Sequence, residues 1–467
     1  MLRRLLAGGL LLVLGAGVPL DTAAQPADFH ARADSLLSAY HGDRLFNGVV
    51  VVGKGDSVVF SGTRGDAVME WDVPNTLDTR FHIGSVTKQF TAALILWLVE
   101  DGQVALDSTV STYLPDYPGP GADRITIHHL LSHRSGLPSY TSFPDYQPRI
   151  MRLTWEPDSL LATVAERDLD FEPGSQFTYS NSGYFLLGRI AEAVTGQAYD
   201  EALQERVLAP AGLADAIGYA HHHRVIDREA AGYRRTGDDY ERAELLDSSV
   251  PYSAGMLYAT PTALHRWSQA LLNGEVLPDA LVDAMTTPHS NNGYGHGIVT
   301  RPDTLGGTPV TTIGHDGGVN GFTSSVSTVR ADDAAAAYTV VVLDNTSSPR
   351  MSRIAADLRQ LLYGERPEKL STGSQKTIDV PVETLEDYTG VYAARPQPNF
   401  KITVTRQEEK LFTQATGQQP FRVYPESTTR FFLKVVDAEV EFQVEDDGSV
   451  PFLTLYQNGR EIVFDRE

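Results

Sequence analysis

The chain has 467 residues, of which 42% are hydrophobic and 21% charged, which is the composition of a globular protein with two or three domains. A net charge of −22 repels nucleic-acid phosphates and so argues against a nucleic-acid partner. The absence of cysteine excludes a thiol nucleophile, an iron–sulfur cluster, a disulfide framework and a lipid-modified N-terminal cysteine.

The first residues have the pattern of a signal peptide. Arg3 and Arg4 precede an apolar stretch over residues 5–20, and small residues follow up to Ala24, before Gln25. The apolar stretch is shorter than the roughly 20 residues that a membrane-spanning helix needs. We therefore predict cleavage near Ala24, removal of residues 1–24, and an exported protein, periplasmic or secreted, with no membrane span.

The next segments alternate between strand and helix patterns. Residues 46–60 form two β-branched runs around a glycine turn, which predicts a hairpin. Apolar residues then recur at helical spacing from Phe90 to Leu98 until Gly102, and residues 125–290 are helical with many Gly and Pro interruptions. Three strand patterns over 310–345 and a closing helix at 352–362 follow. Strands at both ends with helices between them predict an α+β fold, one sheet built from distant segments with an inserted helical lobe.

The polarity and periodicity of the sequence change after Tyr363. Residues 364–378 are polar and lack periodicity, which predicts a linker. Residues 379–467 contain about eight short strand patterns, with hairpin signals at Asp447-Gly448 and Asn458-Gly459. This region is predicted to be a small antiparallel barrel or sandwich.

Ser85 and Lys88 form the strongest chemical signal. Residues three apart on a helix share a face, so the serine hydroxyl and the lysine amine can meet. A serine hydroxyl needs an adjacent base, and a lysine removed from water can lose its proton and serve as that base. The Ser-x-x-Lys motif alone is weak evidence for a catalytic site, because the same pattern also fits an exposed helix start. Here, however, Ser85 follows a short extended run and begins the long apolar helix, where backbone N–H groups can stabilise an oxyanion.

Two further segments carry polar groups suited to a site. Tyr179 and Asn181 could relay a proton and hold Lys88 or a substrate carbonyl, although their neighbours are also typical of a surface loop. Residues 314–318 (GHDGG) end a predicted strand, where glycines permit close approach of a ligand, or simply form a hairpin turn.

In this order, the three motifs resemble those of the serine β-lactamase and penicillin-binding-protein superfamily. The resemblance covers roughly residues 30–363, including LLSHRSGL (130–137), FEPGSQFTYSNSGYFLLG (171–188), SAGMLYAT (253–260) and GHDGGVNGF (314–322). It implies a β-lactamase-like antiparallel sheet flanked by helices, with a helical lobe, over residues 25–363. The last ~90 residues resemble the accessory β-barrel domain of such hydrolases, here residues 379–467.

The resemblance also implies roles for individual residues. Ser85 would be the nucleophile, Lys88 the base, and Tyr179 a general base and leaving-group acid. The supporting and substrate-binding residues would be Asn181, His315 and Gly317, and the oxyanion hole would be the backbone N–H groups of Ser85 and Gly318.

His315 is a departure, because many β-lactamases carry lysine at this position. A histidine is mostly neutral at pH 7 and provides no fixed charge for a substrate carboxylate. We therefore predict a serine hydrolase of esterase, D-aminopeptidase or D-Ala-D-Ala carboxypeptidase type, acting without a cofactor on a small-molecule or peptide substrate. The alternatives are a catalytically silent binding or sensor protein of the same fold and a true β-lactamase.

Other histidines were weighed as metal ligands. His129 and His133 are four residues apart and His128 adjoins them, but no glutamate follows in a metalloprotease arrangement. The run at 221–223 is interpreted as a solvated loop. The spacing predicts no metal site.

Overall fold

The computed structural model describes residues 28–467 except 222, 237–238, 332–336, 368–376, 419, 434–437, 446 and 458–459. The predicted signal peptide, most of the predicted linker and the Asn458-Gly459 turn lie outside the described residues. Among the residues that are described, no helix has the length and apolar character needed to cross a bilayer.

The N-terminal region contains most of the helices, and a short one precedes the C-terminal strands. The helices are α1 (Phe29–Gly42), α2 (Thr87–Glu100), α3 (Val110–Tyr113), α4 (Ile127–Leu131), α5 (Pro157–Ala165), α6 (Asn181–Thr195), α7 (Tyr199–Leu203), α8 (Tyr252–Gly255), α9 (Pro261–Leu272), α10 (Asp279–Thr286), α11 (Met351–Leu362) and α12 (Val382–Asp387).

The strands of the N-terminal region come from both of its ends and from short hairpins between. They are β1 (Gly48–Lys54), β2 (Ser57–Arg64), β3 (Asp66–Val68), β4 (Val73–Pro74), β5 (Phe81–His82), β6 (Ile217–Tyr219), β7 (Tyr233–Thr236), β8 (Asp239–Arg242), β9 (Leu257–Ala259), β10 (Val299–Leu305), β11 (Thr308–Val319), β12 (Phe322–Ala331) and β13 (Tyr338–Asp344).

The main sheet is antiparallel and joins distant parts of the chain. Its described strands have the order β10-β11-β12-β13-β1-β2, so the N-terminal hairpin pairs with β13, almost 300 residues later. The predicted sheet, the hairpin and the three consecutive strands are thereby confirmed.

Both faces of this sheet are covered. Side chains alternate across a strand, and Val49 and Val51 of β1 lie in the core formed with α2, α6 and α9. Val50 and Val52 lie in a second core, which α1 and α11 cover. A strand buried on both faces explains the continuous apolar run of β1.

Helix α2 runs through the larger core. Residues 87–96 of α2 are all buried, so the helix is enclosed on every side. Phe90 stacks on Trp267 with ring centroids 4.0 Å apart, and the Trp267 indole N–H donates to Gln89. Thr91 donates to the Ser253 carbonyl at 2.6 Å and Thr87 accepts from the Leu257 amide at 3.2 Å. These contacts fix the helix that presents Lys88.

The C-terminal region is a closed antiparallel barrel in the part of the chain that is described. Its strands, paired in sequence order, are β14 (Gly390–Ala394), β15 (Gln397–Gln407), β16 (Lys410–Ala415), β17 (Phe421–Pro425), β18 (Arg430–Leu433), β19 (Ala438–Gln443), β20 (Phe452–Gln457) and β21 (Arg460–Arg466). The first strand also pairs with the last, which removes open edges. The predicted accessory barrel is confirmed.

The barrel has its own core and also contacts the N-terminal region. Tyr388 and Phe442 stack with centroids 4.2 Å apart inside the barrel. Phe421 and Leu433 pack against the second core, next to α1 and α11. The barrel therefore lies on the sheet face opposite α2.

Candidate active site

Ser85 lies in a single 3₁₀ turn, Gly84–Val86, directly before α2. Gly84 has φ +51°, a left-handed conformation that suits glycine. A side chain at Gly84 would come within 2.5 Å of the Gly318 nitrogen, so the turn packs closely on the end of β11. Ser85 is partly accessible, whereas its neighbours Gly84 and Val86 are buried. The hydroxyl is thus presented by a rigid turn at a helix N-terminus.

Lys88 is the second residue of α2 and is fully buried. Its Nζ lies 3.0 Å from Ser85 Oγ, 2.8 Å from Asn181 Oδ1 and 2.7 Å from the Ala254 carbonyl oxygen. Burial lowers the pKa of Lys88 well below its ordinary value, because the charged ammonium is less stable away from water.

The three contacts of Lys88 are not equivalent. The Asn181 Oδ1 and the Ala254 carbonyl can only accept hydrogen bonds, so each takes an N–H of the amine. Asn181 is held in this orientation because its Nδ2 donates to Thr141 Oγ1 at 3.0 Å. In the neutral amine, the remaining lone pair points to the Ser85 hydroxyl. This is the arrangement of a base poised to take the serine proton.

Tyr179 lies on the other side of Ser85. Its hydroxyl hydrogen-bonds to Ser85, and its ring lies 4.9 Å from Lys88 Nζ. Burial raises the pKa of Tyr179, so the phenol keeps its proton at neutral pH. Tyr179 can therefore give a proton to a reacting group.

A buried histidine positions the loop between Tyr179 and α6. The Ser180 amide donates to His133 Nδ1 at 3.1 Å, and the His133 ring lies 4.2 Å from the Tyr179 ring. The Asn181 amide also donates to Ser139 Oγ. The segment that carries Tyr179 and Asn181 is thus held in place by the side chains of His133 and Ser139.

His133 continues into a hydrogen-bonded chain that reaches His315. Since His133 Nδ1 accepts, its Nε2 carries the hydrogen and donates to Tyr294 Oη at 3.0 Å. Tyr294 then donates to His315 Nε2 at 3.1 Å, and His315 Nδ1 donates to the Asp316 carbonyl. Both imidazoles are neutral in this chain, and neither nitrogen of His315 is left for another partner.

The environment of His315 keeps it neutral over a wide pH range. Burial is the main cause, and Lys88 adds to it, so that the pKa of His315 falls to about 4. This pKa lies well below the ordinary value of histidine, about 6.5. The reason is that the ring is enclosed next to a second basic group.

Glycines let two backbones meet beside Ser85. A side chain at Gly317 would come within 2.1 Å of the Ile83 carbonyl and 3.0 Å of the Ser85 nitrogen. At Gly318, in contrast, a Cβ would meet no atom within 4 Å, so this residue faces open space. The end of β11 at Gly317 and Gly318 therefore lies against the turn that carries Ser85.

The same stretch of β11 offers a free strand edge. β10 pairs with β11 only as far as Val299 opposite Gly314, whereas β11 pairs with β12 as far as Val319. Residues 315–319 therefore have a described strand partner on one side only. A cleft of about 590 Å³ lies here, lined by Phe177, Tyr179, Tyr294, Arg301, His315, Asp316 and Arg359 among others. Such an edge can bind an extended substrate backbone.

Lys88 contacts both Ser85 and Asn181, Tyr179 hydrogen-bonds to Ser85, and the backbones of Gly317 and Gly318 pack against the turn at Ser85. Of the predicted site residues, Tyr179 and His315 line the cleft. Three participants received no catalytic or positioning role from sequence: the Ala254 carbonyl, Tyr294 and His133. A backbone carbonyl has no side-chain pattern, and Tyr294 lies in a Gly-rich segment, residues 293–297, whose sequence indicates no role for its tyrosine. His129 and His133 do not converge on a metal, because His133 lies in the chain above and His129 Nδ1 accepts from the Thr126 amide.

Comparisons with known proteins agree with this geometry. The sequence profile of the Beta-lactamase family matches residues 33–365, and that of a domain of unknown function (DUF3471) matches residues 374–466. Penicillin-binding protein 4* of Bacillus subtilis is 28% identical over 441 residues, covering 89% of this chain and 94% of that protein.

Two other relatives carry names that describe a reaction. Teichoic acid D-alanine hydrolase of Staphylococcus aureus is 26% identical over 336 residues, covering 71% of this chain and 78% of that protein. The crystal structure of a D-stereospecific amidohydrolase from Streptomyces sp. is similar with a TM-score of 0.58 and 27% identity, covering 71% of this chain and 98% of that one.

The contacts of Lys88 generate a test by pH profile. Replacing Asn181 by aspartate puts a negative charge 2.8 Å from Nζ, which stabilises the ammonium and raises the pKa of Lys88. We expect the acid limb of the kcat/KM profile to move to higher pH in Asn181→Asp. Asn181→Ala serves as control, since it removes the same amide without adding charge. An acid limb at the same pH in Asn181→Asp and Asn181→Ala would contradict Lys88 as the base.

Proposed function

The chain belongs to the beta-lactamase family, and from this premise we propose that Ser85 forms an acyl-enzyme with small esters or amides of D-amino acids. The enzyme is a serine hydrolase. The observation that carries the proposal is the fully buried Lys88, whose Nζ contacts two hydrogen-bond acceptors, Asn181 Oδ1 and the Ala254 carbonyl, and the Ser85 hydroxyl.

Acylation begins with proton transfer from Ser85 Oγ to neutral Lys88 Nζ. The oxygen attacks the substrate carbonyl carbon, and the oxyanion receives hydrogen bonds from the Ser85 and Gly318 amides. The carbon–heteroatom bond then breaks, and the leaving alcohol or amine takes a proton that Lys88 supplies by way of the Tyr179 phenol. Because burial raises the pKa of Tyr179, the phenol is protonated at neutral pH and passes on its own proton as it receives one from Lys88.

Deacylation repeats the sequence with water. Lys88 takes a proton from the attacking water, and a second tetrahedral intermediate forms, whose oxyanion is again bound by the Ser85 and Gly318 amides. Ser85 Oγ regains a proton as the acid product leaves. No cofactor takes part in either half of this mechanism.

The substrate class rests on the free edge of β11 and on the relatives. An extended acyl donor can pair with residues 315–319 and place its carbonyl between the two amides. One relative is named as a D-alanine hydrolase and another as a D-stereospecific amidohydrolase, which supports D-amino-acid substrates for this chain as well.

Carboxylate-bearing β-lactams fit the site less well. Both nitrogens of His315 are engaged within the protein, so the side chain offers no charged donor. Arg359, at the cleft, donates to Ser327 Oγ and is balanced by Asp316 and Asp303. Neither His315 nor Arg359 therefore offers an uncompensated positive charge to a carboxylate.

Export is part of the proposal. Its support is the N-terminal sequence pattern, with a basic start, an apolar stretch and small residues before Gln25. The mature enzyme would then act in the periplasm or outside the cell, where cell-wall D-amino-acid derivatives are found.

Intact-protein mass spectrometry tests the proposed reaction. The enzyme is mixed briefly with D-alanine methyl ester, the L enantiomer, D-alanine amide and benzylpenicillin, and then acid-quenched. We expect the D-alanyl mass increment from the D ester at Ser85, and its absence in Ser85→Ala. Faster acylation by the L ester or by benzylpenicillin than by both D substrates would contradict the substrate class, and an increment that persists in Ser85→Ala would contradict the nucleophile.

A second test changes the charge at position 315. His315→Lys should raise kcat/KM for benzylpenicillin relative to a neutral ester by roughly 10-fold or more, because a charge-assisted hydrogen bond contributes about 1.5–3 kcal/mol. His315→Gln is the matched control, which also breaks the bond from Tyr294 but adds no charge. The explanation fails if the ratio of the two efficiencies is the same in His315→Lys and His315→Gln.

A further inference from the structure

Three histidines that are distant in sequence meet beside the active site. His128 lies on α4, while His289 and His296 flank the turn that carries Tyr294. One ring nitrogen from each lies within 4.8 Å of the other two. We infer that His128, His289 and His296 bind a divalent transition-metal ion of the zinc class.

The spacing is close to that of a zinc site. His128 Nδ1 and His296 Nε2 are 3.0 Å apart. Two nitrogens bound to tetrahedral zinc at 2.0–2.1 Å are about 3.3 Å apart, so a small outward shift would admit the ion. The rings of His289 and His296 stack with centroids 4.5 Å apart, and His128 lies edge-on to His289 at 4.6 Å. Three imidazoles and an open fourth position form a known type of zinc coordination.

The hydrogen bonds of His289 leave a lone pair free for a metal. The ring of His289 donates to the Ala284 carbonyl, while its buried Nε2 has no hydrogen-bond partner. Metal-binding histidines usually donate their other ring N–H to a carbonyl or carboxylate in this way. His296 Nδ1 is also buried and unpartnered, with the residue 1% exposed. Unpartnered buried nitrogens are costly, and a bound cation would account for at least that of His289.

The charges near the cluster favour some ions over others. The group contains no carboxylate. Burial is the main reason that the pKa values of His128 and His289 are lowered, and the nearby Arg134 guanidinium adds to the effect. The positive charge of Arg134 also repels a bound metal ion, so the affinity for the metal must come from the imidazole ligands. Imidazole ligands suit zinc, copper and nickel, whereas calcium and magnesium prefer oxygen.

The ion would join two elements that support the catalytic groups. The turn between His289 and His296 is held by a bond from the His289 amide to the Tyr294 carbonyl, and the His296 amide donates to Met285 on α10. A metal would tie this turn to α4 as well. Because Tyr294 contacts His133 and His315, the bound ion would stabilise the cleft wall without touching the substrate. This inference does not depend on the proposed substrate.

Zinc binding to the whole protein, freed of metal by a chelator, is the test. Titration with Zn²⁺ alone, in competition with a chromophoric chelator, should show one tight site per chain. His289→Gln and His128→Gln should each weaken this site at least about 100-fold, since even the partners of metal ligands are worth 10- to 100-fold. Zn²⁺ should also raise the Tm of the parent protein but not that of His289→Gln.

Controls distinguish this cluster from other histidines. His30→Gln changes an exposed histidine and should bind Zn²⁺ as the parent does. His221, beside Asp200, belongs to the histidine run at 221–223, so His221→Gln should also leave the tight site intact. Equal affinity in the parent, His289→Gln and His128→Gln, or loss of the site in His221→Gln alone, would overturn the inference.

Discussion

The free-energy cost of burying a charged lysine side chain in the protein core underlies the chemistry of this protein. Lys88 lies in a segment of α2 that is buried on all sides, so the protein stabilises its neutral form over the charged one. An unpaired buried ammonium would destabilise the fold, whereas a neutral amine needs only hydrogen-bond partners. Asn181 and the Ala254 carbonyl provide them and at the same time orient the lone pair. In the mechanism that we propose, burial makes Lys88 a base, and the two acceptors orient its lone pair toward Ser85.

The architecture supplies the rigidity that this arrangement needs. The two contacts that orient Lys88 come from α6 and α8, more than 70 residues apart, and both helices pack on α2 in the larger core. The third motif comes from β11, whose glycines let its backbone meet the turn at Ser85. The sheet that joins the two ends of the domain, together with the core packed on it, thus brings α6, α8 and β11 next to Ser85 and Lys88.

Much of this could be predicted from sequence, because the signals were local. Ser85 and Lys88 share a helix face, the glycines at 314–318 end a strand, and strand patterns at both ends of the domain indicated one sheet. The Asp447-Gly448 hairpin signal and its neighbours likewise indicated the barrel.

Other features could not be predicted, because they depend on contacts between distant residues. The Ala254 carbonyl leaves no mark in sequence, and the low pKa of His315 comes from enclosure beside Lys88. His128, His289 and His296 come together only when the turn at Tyr294 packs on α4.

The protonation state of Lys88 can be measured directly. With ¹³C-labelled lysine, the Cε chemical shift of each lysine reports its own titration, and Lys88→Met assigns the signal of interest. The account predicts that one signal, absent from Lys88→Met, corresponds to a neutral amine at pH 7. A Lys88 signal that stays in its charged form up to pH 10 would contradict the account, because the amine could not then take the proton of Ser85.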